Sequence, residues 1–91
     1  HFGFDEFRGL LTGDGDHHTR ISRPGWPDWW AGDAAVKEDG YTTHLITKHS
    51  IDFIERNRAR PFFLYVAHLV PHFPWQGPDD RGDRVEGTDY R

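Results

Sequence analysis

The sequence predicts an α/β segment: one amphipathic helix leading into one strand covered on both faces, flanked by long loops. Three observations predict it. Apolar residues recur at a 3.6-residue period across 42–57, a continuous apolar run occupies 62–67, and Gly, Pro and Trp gather on either side of these two elements.

The helix is the most regular stretch. Gly40 is followed by Thr42 and Thr43, and either hydroxyl can cap a helix by accepting from an orphan N–H of its first turn. Leu45, Ile46, His49, Ser50, Phe53 and Ile54 then share one stripe, with Lys48, Asp52, Glu55 and Arg56 on the opposite side. At 1.5 Å per residue, a helix over 42–57 is about 24 Å long. A polar turn from Asn57 to Arg60 follows, and Pro61 opens the next element. The run Phe62-Phe-Leu-Tyr-Val-Ala67 is too short for a helix and apolar at every position, the pattern of a strand inside a parallel sheet. Such a strand needs a neighbour on each edge and helices over both faces. One helix and one strand close no core, so residues 1–91 are expected to be an internal segment of a larger α/β protein, poorly folded alone.

The flanks read as loops. Residues 1–33 hold six of the ten Gly, two Pro and three of the four Trp. The aromatic clusters Phe2-Phe4-Phe7 and Trp26-Trp29-Trp30 bracket the polar run Thr12-Gly-Asp-Gly-Asp-His-His-Thr-Arg20, where Gly13 and Gly15 permit a tight turn. The aromatics are expected to pin this run to a larger body. Residues 68–91 are irregular again, with three Pro between His68 and Pro78 and a charged tail from Asp79.

Composition excludes several classes. A net charge of −4 disfavours a nucleic-acid or anionic-lipid footprint. No apolar stretch approaches the roughly 20 residues of a membrane-spanning helix. The opening His1-Phe2-Gly3-Phe4 has neither a charged n-region nor an apolar h-region, so no signal peptide is expected, and a chain without Met is not expected to begin at an initiator residue. Zero Cys removes disulfides, thiolate zinc sites and a cysteine nucleophile from this stretch. Disordered chains lack aromatics, so 15% aromatic residues argue for part of something folded.

In open α/β sheets, ligands bind beyond the carboxyl ends of strands. The expected strand ends near Ala67, and His68 and His72 come next. Pro71 and Pro74 bracket His72 and fix φ on both sides, so a titratable imidazole on a stiffened loop is a catalytic candidate. The bland alternative is a structural His bonding a carbonyl. The loop with Asp14, Asp16, His17, His18 and Arg20 is the second candidate, for a metal or a charged substrate; its alternative is a solvated turn. The Asp14-Gly-Asp16 start resembles a calcium loop but lacks Gly at the sixth position and Glu at the twelfth, which rejects an EF-hand. Adjacent His17 and His18 nominate no further zinc ligands, so no metal site is assigned. Arg81-Gly82-Asp83 matches an adhesion tripeptide, a pattern frequent by chance.

The ordered string Gly40-Tyr-Thr-Thr-His-Leu-Ile-Thr…Ile51-Asp-Phe-Ile-Glu55…Pro61-Phe-Phe-Leu-Tyr65…Pro71-His-Phe-Pro74 resembles the middle of a type I sulfatase. The opening Gly3-Phe-Asp-Glu-Phe-Arg-Gly9 and the Asp28-Trp-Trp30 region resemble the same family. The resemblance implies an alkaline-phosphatase-like α/β/α sandwich that hydrolyses sulfate esters, in which a formylglycine hydrate attacks sulfur beside a bound divalent cation, usually Ca2+. It places His72 on the family's sulfate-contacting histidine, donating a hydrogen bond to sulfate or to the bridging oxygen. It sets Asp16, His17 and Arg20 in a loop bordering the substrate pocket, with His68 and Trp75 flanking the active-site histidine and Trp75 able to face a sugar ring. The family's nucleophile motif (Cys or Ser, any residue, Pro, any residue, Arg) is not found. Ser22-Arg-Pro-Gly-Trp26 carries Trp where Arg is required, and it follows rather than precedes the Gly-Phe-Asp-Glu-Phe region. Nucleophile, metal ligands and the family's later active-site Lys therefore fall outside residues 1–91, and the resemblance implies that these residues supply one wall of a site and rely on the rest of a sulfatase chain. The family is often periplasmic, secreted or lysosomal, and the compartment is not legible here.

Two other functions fit parts of the sequence. A phosphodiesterase or phosphonate hydrolase of the same superfamily handles esters of the same shape. A non-catalytic binding module would use the seven His and four Trp for metal or carbohydrate, and requires the 91 residues to fold alone.

Overall fold

The structure is a computed structural model and describes residues 4–91, so Phe2 of the first aromatic cluster and Gly3 of the opening motif lie outside the described residues. Three short strands, β1 (Arg8–Gly9), β2 (Trp30–Ala31) and β3 (Ala34–Ala35), precede one helix, α1 (Thr42–Asn57). The strands pair antiparallel in the order β1-β2-β3, with Arg8 opposite Ala31 and Trp30 opposite Ala35. Gly32 and Asp33 make the hairpin between β2 and β3, and Gly32 supplies the positive φ (62°) that a two-residue hairpin takes at its first position. β1 and β2 fall in the stretch 1–33 expected to be all loop, and β3 lies just past it. Two residues are too few to show an alternating pattern, so no period announces them.

Helix α1 has the predicted bounds and the predicted face. Leu45 is buried, Ile46, His49, Ser50 and Phe53 are half-buried, and Lys48, Asp52, Glu55 and Arg56 are exposed. Ile54, at the end of the stripe, is 42% exposed. The predicted threonine cap is not formed. Tyr41 occupies the N-cap position without a side-chain capping bond. Thr42 instead donates from both its N–H (2.7 Å) and its hydroxyl (2.6 Å) to the carbonyl of His17. A carbonyl brought from another loop satisfies the orphan N–H, and the hydroxyl is spent on a tertiary contact.

The expected strand over 62–67 is absent among the described residues. No strand lies beside it, and its side chains are exposed apart from half-buried Leu64, with Phe63 at 73% and Tyr65 at 72%. Among the described residues, Phe62 packs edge-on against Phe53 (5.4 Å between centroids) and Phe63 stacks on Phe4 (6.1 Å). A continuous apolar hexapeptide becomes a strand only where other strands take its N–H and C=O groups. The sheet and the helix make an α/β arrangement, and no layered sandwich forms within them. No described helix is long and apolar enough to cross a membrane.

The interior is mostly polar. Among the described residues, Ile21, Trp29, Leu45, Leu69 and Pro74 are buried, beside Asp16, His17, Arg20, Ser22, Asp28, Thr42, Asn57 and Arg84. The polar run expected to be pinned onto a larger body is thus the hub of the structure. Asp28 accepts from Leu11 N–H, Thr12 N–H and the Trp30 indole, each at 2.9 Å. Buried Arg84 donates to the carbonyls of Asp14 (2.6 Å) and Ile21 (3.2 Å), which folds the charged tail back on the loop.

Candidate functional site

His72 closes a turn in which its N–H donates to the Leu69 carbonyl at 3.0 Å. The peptide bonds before both flanking prolines are cis. The imidazole is exposed, and its Nδ1 donates 2.8 Å to the Phe73 carbonyl. With Nδ1 keeping that proton, Nε2 can donate to an oxyanion only from the doubly protonated ring. His72 stands at a pocket of about 330 Å³ lined by His17, Val70, Pro71, His72, Trp75, Gln76 and Gly77. The turn does not follow an interior strand, which the sequence had led one to expect.

Of the other predicted residues, His17 and Trp75 reach this pocket. Trp75 is 80% exposed and leans edge-on against Phe73, with centroids 5.5 Å apart. His17 is buried and donates from Nε2 to the His72 carbonyl at 3.0 Å. Burial pushes its imidazole below the usual value, and the contact with the His72 carbonyl opposes that.

Asp16 lies behind the pocket wall with no exposed surface. Its Oδ1 accepts from His18 N–H (2.8 Å) and Thr19 N–H (2.9 Å), and its Oδ2 from Gln76 Nε2 (3.1 Å), Asp83 N–H (2.8 Å) and Arg84 N–H (3.1 Å). Burial works to raise its pKa, but these five donors outweigh burial and hold the carboxyl well below the usual range. Its lone pairs are spent on the fold.

Arg20 is likewise interior. Its guanidinium donates to the carbonyls of Gly40 (2.6 Å) and Glu38 and to the Thr42 hydroxyl (3.3 Å), and it sits 5.6 Å from the Trp29 ring. The structure thus uses Asp16 and Arg20 as framework, and neither lines the pocket at His72. His68 is exposed and is not among the residues lining that pocket.

Gln76 is the residue the sequence did not single out. Its side-chain oxygen accepts from His17 N–H (2.7 Å), its amide donates to Asp16 (3.1 Å), and its carbonyl accepts from the Tyr41 hydroxyl (2.7 Å). One side chain thus couples the pocket wall to the Asp16 loop. Nothing in its local sequence marks it, because its partners lie 59 and 60 residues away.

No three described His, Asp or Glu side chains gather to hold a metal. Ser22 is buried, and its hydroxyl accepts from Trp26 N–H at 3.2 Å. The described residues therefore fit neither a divalent-cation site nor a formylglycine nucleophile.

The sulfatase family model matches residues 1–90. An N-acetylglucosamine-6-O-sulfatase of Bacteroides thetaiotaomicron is 32% identical over 77 residues, covering 80% of this chain and 12% of that protein. Arylsulfatase J of Mus musculus is 34% identical over 84 residues, covering 84% of this chain and 14% of that protein. The chain thus spans about an eighth of the length of these curated relatives, and no solved structure matches it. On the match along its whole length, the chain belongs to the sulfatase family.

Proposed function

We propose that these residues are an internal segment of the catalytic domain of a sulfuric ester hydrolase with an alkaline-phosphatase-like α/β/α sandwich, and that they contribute one wall of its active site. The observation that carries the reading is the His72 imidazole standing at an open pocket within a chain that belongs to the sulfatase family. His72 acts as imidazolium. It donates from Nε2 to the sulfate or the bridging oxygen, which helps the alcohol leave, and charge-assisted donors are the stronger kind. The formylglycine nucleophile and the Ca2+ ligands come from parts of the protein outside these residues, so the 91 residues alone are inactive.

The substrate is a sulfated carbohydrate or an aryl sulfate. The exposed indole of Trp75 beside the pocket suits the flat face of either. The likeness to a bacterial N-acetylglucosamine-6-O-sulfatase favours the sugar.

The test is His72→Ala in the full-length protein, assayed on an aryl sulfate. Turnover is expected to drop by about 10²–10⁴, the usual worth of general acid help. Unchanged turnover removes His72 from the chemistry.

A further inference from the structure

Two loops far apart in sequence meet near His72. The Gln76 side chain and the His18 ring, which donates 2.9 Å to the Gly77 carbonyl, join them beyond the turn, and the His17 imidazole alone reaches the His72 carbonyl. Nε2 of His17 donates 3.0 Å to the main-chain carbonyl of His72. A carbonyl only accepts, so this nitrogen carries the proton. The other ring nitrogen, Nδ1, is buried without a partner among the described residues. A second proton there would be a buried, unpaired charge, which keeps the ring neutral and its proton on Nε2.

The backbone of His17 is held on both sides. Its N–H donates 2.7 Å to Gln76 Oε1, and its carbonyl accepts from Thr42 N–H at 2.7 Å and Thr42 Oγ1 at 2.6 Å. Thr42 is the first residue of α1. A regular element thus reaches the His72 carbonyl through the His17 side chain, while Tyr41 at the head of α1 holds the Gln76 carbonyl four residues further on. The bond from His72 Nδ1 to the Phe73 carbonyl orients the ring against its own turn, but it does not locate that turn in the molecule.

We infer that His17 is a positioning residue for His72: by tying the His72 carbonyl to a loop anchored on α1, it sets where the His72 ring stands at the pocket. The inference rests on the assignment of His72 to the substrate oxyanion. Misplacement of a reacting group by about 1 Å can cost about 10²-fold in rate.

The experiment uses the full-length enzyme and a small aryl sulfate, with His17→Gln, His17→Asn and His17→Phe made alone and on His72→Ala. His17→Phe, which keeps a ring and loses the donor, is expected to lower kcat by about 10²-fold with KM little changed. His17→Gln carries an N–H near the Nε2 position and should recover most of the loss. His17→Asn, whose amide ends at the Nδ1 position, should not. Gln and Asn are both neutral amides, so their comparison stands even where the Phe variant does not fold. On His72→Ala, none of the three should cost anything more, because the group they position is gone. Equal kcat for His17→Gln and His17→Asn overturns the inference, and so do losses that multiply with that of His72→Ala. Full turnover in His72→Ala alone overturns instead the role of His72 on which the inference stands.

Discussion

Asp16 shows how far one side chain can organise this molecule. Five N–H donors converge on its carboxylate from its own loop, from Gln76 and from the returning tail. Asp16→Asn places an NH2 where donors already point and removes the charge they assist. The loss is expected to be about 2–3 kcal/mol, read as a lower Tm of the full-length protein. The pH dependence follows from the depressed carboxyl. A folded pKa below the unfolded value of about 3.9 contributes stability that is present above that pH and lost as the pH falls below it. Asp16→Asn should therefore flatten the acid limb of the stability–pH curve. An unaltered acid limb would show that the carboxylate does not carry the loop.

At the scale of elements, Glu38 is the joint between sheet and helix. From the connection after β3 it accepts from His49 (2.8 Å) on α1 and from the Trp29 indole (3.0 Å), with Lys48 at 3.4 Å and Arg8 of β1 at 3.5 Å. Burial works to raise its pKa, but these donors and the facing charges, led by His49, hold it down at about 2. The sign is again that of a depressed acid: the stabilisation is full above the unfolded carboxyl value and is lost as the pH falls towards 2. Glu38→Gln is expected to lower the Tm at pH 7 and to shrink the difference between variant and parent in strong acid, checked by melts across that range. The bounds of the helix and most of its stripe were legible, because they are local properties of 42–57. The threonine cap was misread because the group that satisfies the first N–H, the His17 carbonyl, arrives from 25 residues away.

For the molecule as a whole, shape carries the argument. The Cα radius of gyration is 13.8 Å, against about 12 Å for a compact domain of this length. The principal extents are 44 × 27 × 19 Å. The apolar run 62–67, half-buried Leu64 aside, lies exposed along this elongated body, with no strand on either edge among the described residues. A stretch of that composition is stable only when covered. In the full-length protein its amides are expected to be among the slowest to exchange with deuterium, while in the isolated 91-residue chain they exchange as in an unfolded peptide. Equal protection in both would mean that the segment needs no further strands.

The sequence by itself determined the helix, its bounds and most of its buried face, because these are written in neighbouring residues, and the family, which is written in an ordered string of motifs along the chain. The tertiary structure decided which polar residues are framework and which face open space. Asp16, His17 and Arg20 look alike as a charged loop, yet five donors fix Asp16, main-chain carbonyls hold Arg20, and His17 alone of the three lines the pocket. Gln76 became visible only there, since its partners are brought together by chain closure over some sixty residues. Hydrogen-bond satisfaction is a property of the whole packed set of groups, and no local pattern encodes it.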